Sequence, residues 1–349
     1  MIRENMKMSD EKKSFTKANG FPFLLKPAVK HCLWGGSKIG ETYGKLEKEN
    51  RKFCEDIGET WECSTNEEGI SVVASGKYEG WLLTEVLKNH PEFLGKWQNE
   101  KGELPILVKL IDAKKDLSIQ VHPGDEYAKE HENGALGKTE LWYVLDAEED
   151  SRLIYGFEHD MEKSRVEKSL MDGTIERYVK KIPVRKDDHF FIEAGTLHGI
   201  GKGILLAEIQ ENSNITYRLH DYNRVDKHGN RREVHIEKGL NVLKLTHAMD
   251  VKHGPRQLHY KKGFAIQKVC QNQYFQVEKL ILNTQCCREM AELQRMEESF
   301  RVLLCTEGCG VLFVKNELLS FFKGDCIFVP ANTEQMKLHG KAELLCCQA

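Results

Sequence analysis

Most of the chain consists of short apolar segments separated by glycine-containing turns, a pattern that is typical of β-strands joined by tight turns. Between residues 21 and 78 the apolar pieces are short and interrupted by glycine, as in LWGGSKIG and DIGETWECS. Longer strand candidates follow at ILVKLIDA (106–113), LSIQVHP (117–123) and ELWYVLDA (140–147). Strand-like segments resume near residue 189 and continue, with close turns, to the end of the chain. The pattern therefore predicts a mainly β protein.

Two stretches depart from this pattern and predict helices. In EGWLLTEVLKNHPEFLG the apolar residues of positions 82–87 recur at helical spacing, and Pro91 interrupts the pattern. The charged segment between about 159 and 180 predicts one or two further short helices. We therefore expect a few helices attached to a larger set of strands.

Polarity along the chain divides it into three regions. Residues 1–20 are dominated by Lys and Glu, which predicts a flexible polar arm ahead of the folded part. Residues 21–250 form the first predicted domain, with a polar loop at NRVDKHGNRREVH, and a boundary is expected between about 245 and 260. Residues 251–349 form a second predicted domain of short strands.

The last hundred residues carry a more specific pattern than strand texture alone. Gly308 and Gly310 precede two strand candidates, a Lys323–Asp325 turn and the sequence Val329–Ala331. This order resembles the second half of a cupin, a small jelly-roll-like β-barrel built from hairpins. The segment HFFIEAGTLHGIG (189–201) occupies the same place in the earlier pattern as CIFVPANTEQMKL occupies in the later one. We therefore predict a duplicated cupin with a few attached helices.

Composition excludes several classes of protein. The 349 residues carry 51 Lys and Arg against 54 Asp and Glu, a net charge of −3, which disfavours binding to nucleic acid or to an anionic membrane. No apolar run approaches the roughly 18 residues of a membrane span, and the first residues lack a secretory apolar core. The 11 cysteines are odd in number and contain no C-x-x-C pair, so we expect free thiols in a reducing cytoplasm.

A candidate metal site follows from strand geometry in the first domain. Alternate residues of a strand share a face, so Gln120 and His122 project together, and so do Lys138 and Glu140. His198 follows a glycine turn at the start of another strand. A barrel that gathers these positions would supply two imidazoles, a carboxylate and an amide oxygen, a set that suits one Zn²⁺ per chain. Taken singly, each of these residues has an ordinary explanation as a core residue or a solvated strand end.

The second predicted domain has no comparable set of ligands. After residue 254 the histidines are His259 and His339, and neither lies in a ligand-like pattern. We therefore expect the later cupin to be a degenerate copy without metal ligands.

Several longer segments of the chain resemble type I phosphomannose isomerases of the shorter bacterial kind. The resemblance runs from about Phe21 to the end and is looser in the last part. It is carried by FLLKPAVKHCLWGG (23–36), GETWECS (58–64), LPILVKLIDAKKDLSIQVHPGDEYA (104–128), GKTELWYVLD (137–146), AGTLHGIG (194–201) and ENSNITYRLHDYNR (211–224). The QVHP and GKTE segments are its most specific parts.

The resemblance implies roles for individual residues. Arg218 stands at the position of the family's catalytic arginine. Lys109 and Lys138 match lysines to which the family assigns substrate or phosphate contact, or proton transfer. The positions that match the family's zinc ligands are Gln120, His122, Glu140 and His198.

The implied activity is a zinc-dependent aldose–ketose isomerisation between mannose 6-phosphate and fructose 6-phosphate through an enediol. The implied partner is a small phosphorylated sugar, and we expect a monomer or a weak homo-oligomer. One departure is Asn214, because the family commonly has Asp at this place. Two alternatives remain open. One is another metal-dependent cupin, such as an iron or manganese sugar-phosphate isomerase or dioxygenase, and the other is a non-catalytic sugar-phosphate-binding regulatory protein.

Overall fold

The structure is a computed structural model that describes residues 20–45, 56–226, 228–250, 257–285, 287 and 289–349. The predicted arm over residues 1–20 therefore lies outside the described residues, apart from Gly20. The backbone N–H of Gly20 donates a hydrogen bond to Oδ1 of Asn332, at 3.0 Å. The described chain thus begins beside its own carboxy-terminal part.

Strands make up most of the regular structure. In the described part of the chain before residue 221 they are β1 (Phe23–Lys26), β2 (Ala28–Gly36), β3 (Ile57–Cys63), β4 (Val72–Val73), β5 (Ile106–Ala113), β6 (Ile119–Val121), β7 (Glu140–Ala147), β8 (Arg152–Phe157), β9 (Val179–Pro183), β10 (His189–Ile192), β11 (His198–Ile200), β12 (Ile204–Glu211) and β13 (Tyr217–His220). The later strands are β14 (Leu258–Lys261), β15 (Phe264–Gln271), β16 (Gln276–Asn283), β17 (Ala291–Leu293), β18 (Arg301–Val314), β19 (Glu317–Phe322), β20 (Cys326–Val329) and β21 (Met336–Gln348).

The helices are short and lie between the strands. The α-helices of the described residues are α1 (Lys38–Tyr43), α2 (Leu83–Asn89), α3 (Asp125–His131), α4 (Lys163–Met171) and α5 (Ile236–Val242). Short 3₁₀ turns occur at Gly76–Tyr78, Pro91–Leu94 and Ile175–Arg177. No helix of the described residues has both the length and the apolar character that crossing a membrane requires.

The strands form three sheets whose faces pack on one another. A six-stranded sheet has the order β10-β7-β12-β5-β3-β2, and a five-stranded sheet has the order β13-β6-β11-β8-β9. Apolar side chains from both sheets, including Ile111, Trp142 and Ile200, form one core between them. The outer face of the five-stranded sheet is covered by α4 and α5, through residues such as Val166 and Leu240. The first part of the chain is therefore a β-sandwich with helices on one side.

The third sheet contains ten strands and holds the carboxy-terminal part of the chain. Its main path is β14-β15-β16-β21-β18-β20-β1-β4, with β17 paired to β21 and β19 to β18. The first strand lies within it, because Phe23 of β1 is the antiparallel partner of Phe328 in β20. In β1 the buried Phe23 and Leu25 alternate with less buried neighbours, so one face of this strand joins the core. The division at residues 250 and 251 stays a prediction, and β1 and β4 are strands of the first predicted domain that lie in this sheet.

The predicted fold class is confirmed, with one difference in form. The chain is mainly β with few helices, and its strands follow a cupin-like sandwich. The sheets of the described residues are open and do not close into a barrel. The strands predicted at 106–113 and 140–147 have those bounds, and α2 ends before Pro91 as expected. Of α3 only Ala128 is buried, so this helix has almost no apolar periodicity that could have predicted it.

The cysteines of the described residues are free thiols, as predicted. Cys54 and Cys286 lie outside the described residues. Those described are Cys32, Cys63, Cys270, Cys287, Cys305, Cys309, Cys326, Cys346 and Cys347. Burial raises the pKa of Cys32 and Cys305 to about 12, so these two thiols stay protonated at neutral pH.

Candidate metal centre and substrate cavity

Three neighbouring strands of the five-stranded sheet align polar residues in one row. His198 of β11 is the direct partner of Gln120 in β6, and Gln120 is the partner of Arg218 in β13. Directly opposed residues of an antiparallel pair project from the same face of a sheet. The buried Ile119 and Val121 point the other way, into the core beneath α4 and α5. The predicted alternation around Gln120 is therefore confirmed, and it brings Arg218 beside the candidate ligands.

The six-stranded sheet contributes a second polar row. Glu208 of β12 lies between Lys109 of β5 and Trp142 of β7, and Lys109 is in turn the partner of Trp61 in β3. The indole Nε1 of Trp142 donates a hydrogen bond of 2.9 Å to Oε2 of Glu208. Glu140 is two residues before Trp142 and shares its face. The interior of the sandwich thus holds charged groups from both of its sheets.

His122, Glu140 and His198 come together in this interior. The Nε2 atoms of the two histidines are 3.0 Å apart. Oε1 of Glu140 is 3.4 Å from Nε2 of His198, and Oε2 is 3.6 Å from Nε2 of His122. All three side chains are buried. Within the described residues they are the one group of three His, Cys, Asp or Glu ligand atoms close enough to hold a metal ion.

The fourth predicted ligand, Gln120, lies at the edge of this group. Its side-chain amide nitrogen is 3.4 Å from Nε2 of His198. A half-turn of the amide about its last bond exchanges the nitrogen for the oxygen, which would then face the same point. The structure thus brings the four predicted ligand side chains together, and their role in binding a metal stays a prediction.

Backbone carbonyl groups orient both histidine rings. Nδ1 of His122 donates to the carbonyl oxygen of Ile215 at 2.9 Å, and Nδ1 of His198 donates to that of Thr196 at 2.8 Å. In a neutral ring with the proton on Nδ1, the lone pair is on Nε2, the atom that faces the cluster. Burial lowers the pKa of His122 and lowers that of His198 to about 4, so both rings are neutral near pH 7. Both are therefore oriented as metal ligands require.

The donor set fits a divalent cation. Oε1 of Glu140 is buried without a hydrogen-bond partner, although buried carboxylate oxygens normally have one. Burial, and next the proximity of Glu208, raises the pKa of Glu140 to about 8. A bound cation would favour the ionised carboxylate and remove this cost. Two imidazoles, a carboxylate and an amide are ligands that Zn²⁺ accepts, and Fe²⁺ or Mn²⁺ can use the same donors.

The predicted lysines lie next to this centre and are paired with carboxylates. Nζ of Lys138 is 3.2 Å from Oε2 of Glu140 and 4.0 Å from Oε1 of Glu208. Nζ of Lys109 is 3.2 Å from Oε1 of Glu208 and 3.6 Å from Oε2 of Glu59. Burial alone would raise the pKa of Glu208, but Lys138 and Lys109 lower it to about 2. Glu208 is therefore ionised between two ammonium groups.

A cavity of about 280 Å³ opens beside these residues. It is lined by four of the predicted site residues, namely Lys109, Gln120, Lys138 and Arg218. Arg218 donates from Nη1 to the carbonyl oxygen of Glu233 at 2.8 Å, while its Nε is buried without a hydrogen-bond partner. Burial, followed by the charge of Arg232, lowers the pKa of Arg218.

Sequence reasoning missed four titratable residues that line this cavity, namely Glu59, Glu208, Arg232 and His235. Glu208 lies in ILLAEIQE, and a charged residue inside a buried apolar strand is a signal that could have found it. Arg232 and His235 also line the cavity. They come from the polar stretch that was predicted only as a loop, and no local pattern distinguishes them from its other charged residues.

Asn214, the departure from the family pattern, also lines the cavity. Its Nδ2 donates a hydrogen bond of 2.7 Å to Oε2 of Glu68. A carboxylate is therefore present next to this position although residue 214 is an amide. An Asp at position 214 would face Glu68 with the same charge.

The histidines of the second predicted domain have other surroundings. Nδ1 of His339 is 2.9 Å from Oγ1 of Thr284, and His259 lies exposed on β14. Neither belongs to the buried group described above.

Fold and site together define a cupin-type protein with a candidate metal centre beside a charged cavity. Residues 22–176 match the family model for the catalytic domain of type I phosphomannose isomerase. Residues 265–348 match the model for the cupin domain of mannose-6-phosphate isomerase. The chain belongs to the type I mannose-6-phosphate isomerase family, as its sequence motifs predicted.

Relatives of similar length match nearly the whole chain. The mannose-6-phosphate isomerase ManA of Bacillus subtilis is 34% identical over 326 residues, which are 93% of this chain and 98% of the relative. The mannose-6-phosphate isomerase of Streptococcus mutans is 32% identical over 326 residues, with coverage of 93% and 97%. The crystal structure of the mannose 6-phosphate isomerase from Bacillus subtilis superimposes with a TM-score of 0.84 at 34% identity and covers 93% of this chain and 99% of that one.

Proposed function

We propose that this protein is a zinc-dependent isomerase that interconverts mannose 6-phosphate and fructose 6-phosphate. The observation that carries the proposal is the buried group of His122, Glu140 and His198, which lies beside a cavity lined by Lys and Arg side chains. The names of the relatives from Bacillus subtilis and Streptococcus mutans support the same substrate.

The proposed reaction moves one proton between adjacent carbons. The C2–H bond of the aldose breaks, a C1–H bond of the ketose forms, and a hydroxyl proton passes from O2 to O1 through an enediol. Gln120, His122, Glu140 and His198 would hold a divalent cation, which would supply electrostatic stabilisation for the negative charge that develops on the substrate oxygens. The residues of the chain must then hold the substrate and handle the proton.

Lys138 and Glu208 are the groups that we assign to proton handling. Both line the cavity, and their charged ends are 4.0 Å apart, so the Glu208 carboxylate can accept the proton from one carbon and return it to the neighbouring carbon with the Lys138 ammonium beside it. Arg218 remains charged and has an Nε without a partner, so we assign it to binding substrate oxygens. Lys109 holds Glu208 ionised and in place, because its ammonium lies 3.2 Å from that carboxylate.

The choice of zinc, of compartment and of assembly also belongs to this proposal. A centre with two imidazoles, one carboxylate and one amide suits Zn²⁺ with an open position for substrate. Free thiols throughout the described residues support a cytoplasmic location. One chain supplies every residue of the candidate site, which supports a monomer or a weak homo-oligomer acting on a small phosphorylated sugar.

A metal-exchange experiment tests the proposal. The purified protein is treated with a chelator, reloaded separately with Zn²⁺, Fe²⁺ or Mn²⁺, and assayed by coupling fructose 6-phosphate formation from mannose 6-phosphate to a dehydrogenase. Turnover should disappear on chelation and return with Zn²⁺. Recovery with Fe²⁺ or Mn²⁺ alone would support another metal-dependent cupin, and sugar-phosphate binding without turnover under any metal would support a regulatory protein.

The chain offers a matched control for the location of the metal. The double substitution His259→Ala and His339→Ala removes two imidazoles that lie outside the buried group. Metal content and turnover should stay near those of the unmodified protein. A large loss of metal with the fold intact would show that the centre lies in the later cupin.

A further inference from the structure

The two lysines of the cavity have little charge left for an anionic ligand. Lys109 lies between Glu59 and Glu208, and Lys138 lies between Glu140 and Glu208, all within 4.0 Å. The two ammonium groups thus face three carboxylates. A phosphate group placed against them would meet Glu59 and Glu208, which also line the cavity. The charges of Lys109 and Lys138 therefore neutralise the carboxylates around the candidate metal centre and are not available to bind the phosphate group.

Where the loop after β13 meets the cavity, the positively charged side chains are less fully paired with carboxylates. Arg218 makes no ion pair within 4.0 Å to a carboxylate of the described residues, and its Nε is buried without a partner. Arg232 lines the same cavity and lies close enough to lower the pKa of Arg218. Asp221 and Glu233 offset part of the repulsion between these two guanidinium groups, and an anion bound between them would offset more of it.

Asp221 fixes the position of Arg232. Its Oδ2 accepts a hydrogen bond of 2.8 Å from Nε of Arg232, and its Oδ1 accepts another from Nη2 of Arg232. Oδ1 also accepts from Nη2 of Arg224. A two-point contact of this kind holds the planar guanidinium in one orientation. It uses Nε and Nη2 and leaves Nη1 of Arg232 outside the fork.

The charges around Asp221 leave a surplus. One carboxylate is shared by the two guanidinium groups of Arg224 and Arg232, which leaves one positive charge, and Arg218 adds a second. Glu233 lies near Arg218 and offsets part of this surplus, but it is exposed and does not line the cavity. A net positive charge remains beside the cavity, which favours a phosphate monoester of about −1.5 to −2 charges at pH 7, and guanidinium groups bind phosphate oxygens through two hydrogen bonds.

We propose that Arg232, held by Asp221, binds the phosphate group of the substrate together with Arg218. This proposal rests on the proposed function, because it assigns the two ends of one sugar phosphate within a single cavity. The carbonyl end lies toward Gln120 and the metal centre, and the phosphate lies toward Arg218 and Arg232. Arg232 thus determines specificity for a phosphorylated sugar over the unphosphorylated sugar.

Binding of an unreactive substrate analogue tests this assignment without relying on turnover. Glucitol 6-phosphate has no carbonyl group and cannot isomerise, and glucitol lacks the phosphate. Calorimetric titration of the zinc-loaded protein should show binding of glucitol 6-phosphate that weakens by about tenfold or more in Arg232→Ala, because a charge-assisted contact is lost. Weak binding of glucitol should not change. The Arg232→Lys substitution keeps the positive charge but lacks the two-point geometry of a guanidinium group, so it should weaken the binding of glucitol 6-phosphate less than Arg232→Ala does.

Arg231→Ala is the matched control. Arg231 is the preceding residue, is exposed, and does not line the cavity, so its substitution changes the net charge equally. It should leave binding of glucitol 6-phosphate within about twofold of the unmodified protein, because exposed charges are screened by salt. In the isomerase assay, Arg232→Ala should raise KM for mannose 6-phosphate more than it lowers kcat, with unchanged metal content.

The possible outcomes separate this inference from the proposed function. Equal binding by Arg232→Ala and the unmodified protein, or no binding of glucitol 6-phosphate by the unmodified protein, would overturn the role of Arg232. Turnover of mannose 6-phosphate would stand in the first case. If glucitol 6-phosphate binding depends on Arg232 but the protein has no turnover, phosphate recognition by Arg232 would be supported and the proposed isomerase function would be contradicted. If Arg232→Ala does not fold, Arg232→Gln, which removes the charge and keeps a polar side chain of similar length, provides the same comparison.

Discussion

Replacing Glu211 with Gln should make the protein more stable at pH 8 and change its stability much less at pH 5. Glu211 ends β12 and is buried, and its Oε2 accepts the backbone N–H of Thr139 at 2.7 Å. Its side chain is also hydrogen-bonded to that of Asp125. Asp125 accepts the N–H of Gly137 at 2.8 Å and the hydroxyl of Tyr274 at 3.0 Å. These contacts hold the turn that precedes Glu140.

The magnitude follows from the proton that this carboxyl pair retains. Burial, with the nearby charge of Asp125, raises the pKa of Glu211 from 4.5 to about 7. Between pH 4.5 and about pH 7 the folded protein keeps a proton on Glu211 that the unfolded chain has lost, so the free energy of unfolding falls as the pH rises. At about 1.4 kcal/mol per pH unit, the loss by pH 8 is about 2 to 3 kcal/mol relative to pH 5. Gln cannot ionise, can still accept the N–H of Thr139, and can donate to Asp125, so it avoids this loss.

Thermal unfolding of the metal-loaded protein at pH 5 and pH 8 measures the effect. The difference in Tm between Glu211→Gln and the unmodified protein should grow by several degrees between the two pH values, since 1 kcal/mol corresponds to roughly 2–4 °C in a domain of this size. Glu126→Gln is the control, because Glu126 is exposed on the neighbouring helix α3. A Tm difference for Glu211→Gln that is the same at both pH values would refute the reasoning.

Four further substitutions test the site itself. His122→Ala and His198→Ala should each lower metal content sharply in elemental analysis, because a catalytic zinc centre has only three or four protein ligands, and full occupancy in both would exclude the assignment. Arg218→Lys should lower kcat/KM about tenfold or more, mainly by raising KM as expected for Arg232→Ala, with unchanged metal content, whereas wild-type kinetics would contradict its role. Asn214→Asp should not raise turnover, because the new charge would lie against Glu68 at the position of a 2.7 Å hydrogen bond, and a many-fold increase would show that the natural Asn weakens the enzyme.

The part of the site that sequence predicted depends on local periodicity. Gln120 and His122 project together as the alternation of strand residues predicts, although β6 itself ends at Val121, directly before His122. Lys138 and Glu140 also meet, at 3.2 Å, but for a different reason. The strand β7 begins only at Glu140, and Lys138 precedes it in a turn that is fixed by the hydrogen bond from its N–H to the carbonyl oxygen of Pro123. The expectation was correct in outcome, and the turn rather than the strand provides it.

The part that sequence missed depends on register between strands and on loop geometry. Glu208 pairs with Lys109 because β12 and β5 align in one register, and that alignment is set by the whole sheet rather than by either segment. Arg232 reaches the cavity because Asp221 binds it across eleven positions of an irregular loop. No local pattern encodes either contact. The family resemblance runs over the segments that contain Glu208 and Arg232, but the motifs that carry the resemblance include neither residue.

The pairing of β1 with β20 sets the order in which this chain can complete its fold. Phe23 and Phe328 are direct partners, although they are far apart in sequence. A contact of such long range closes a large loop and forms slowly compared with local hairpins. During synthesis β1 is followed soon by β4, with which it also pairs, but β20 is made much later, so one edge of β1 stays unpaired until then. We therefore expect the ten-stranded sheet to be completed only after β20 and β21 have been synthesised, and β1 to be a binding site for chaperones until then.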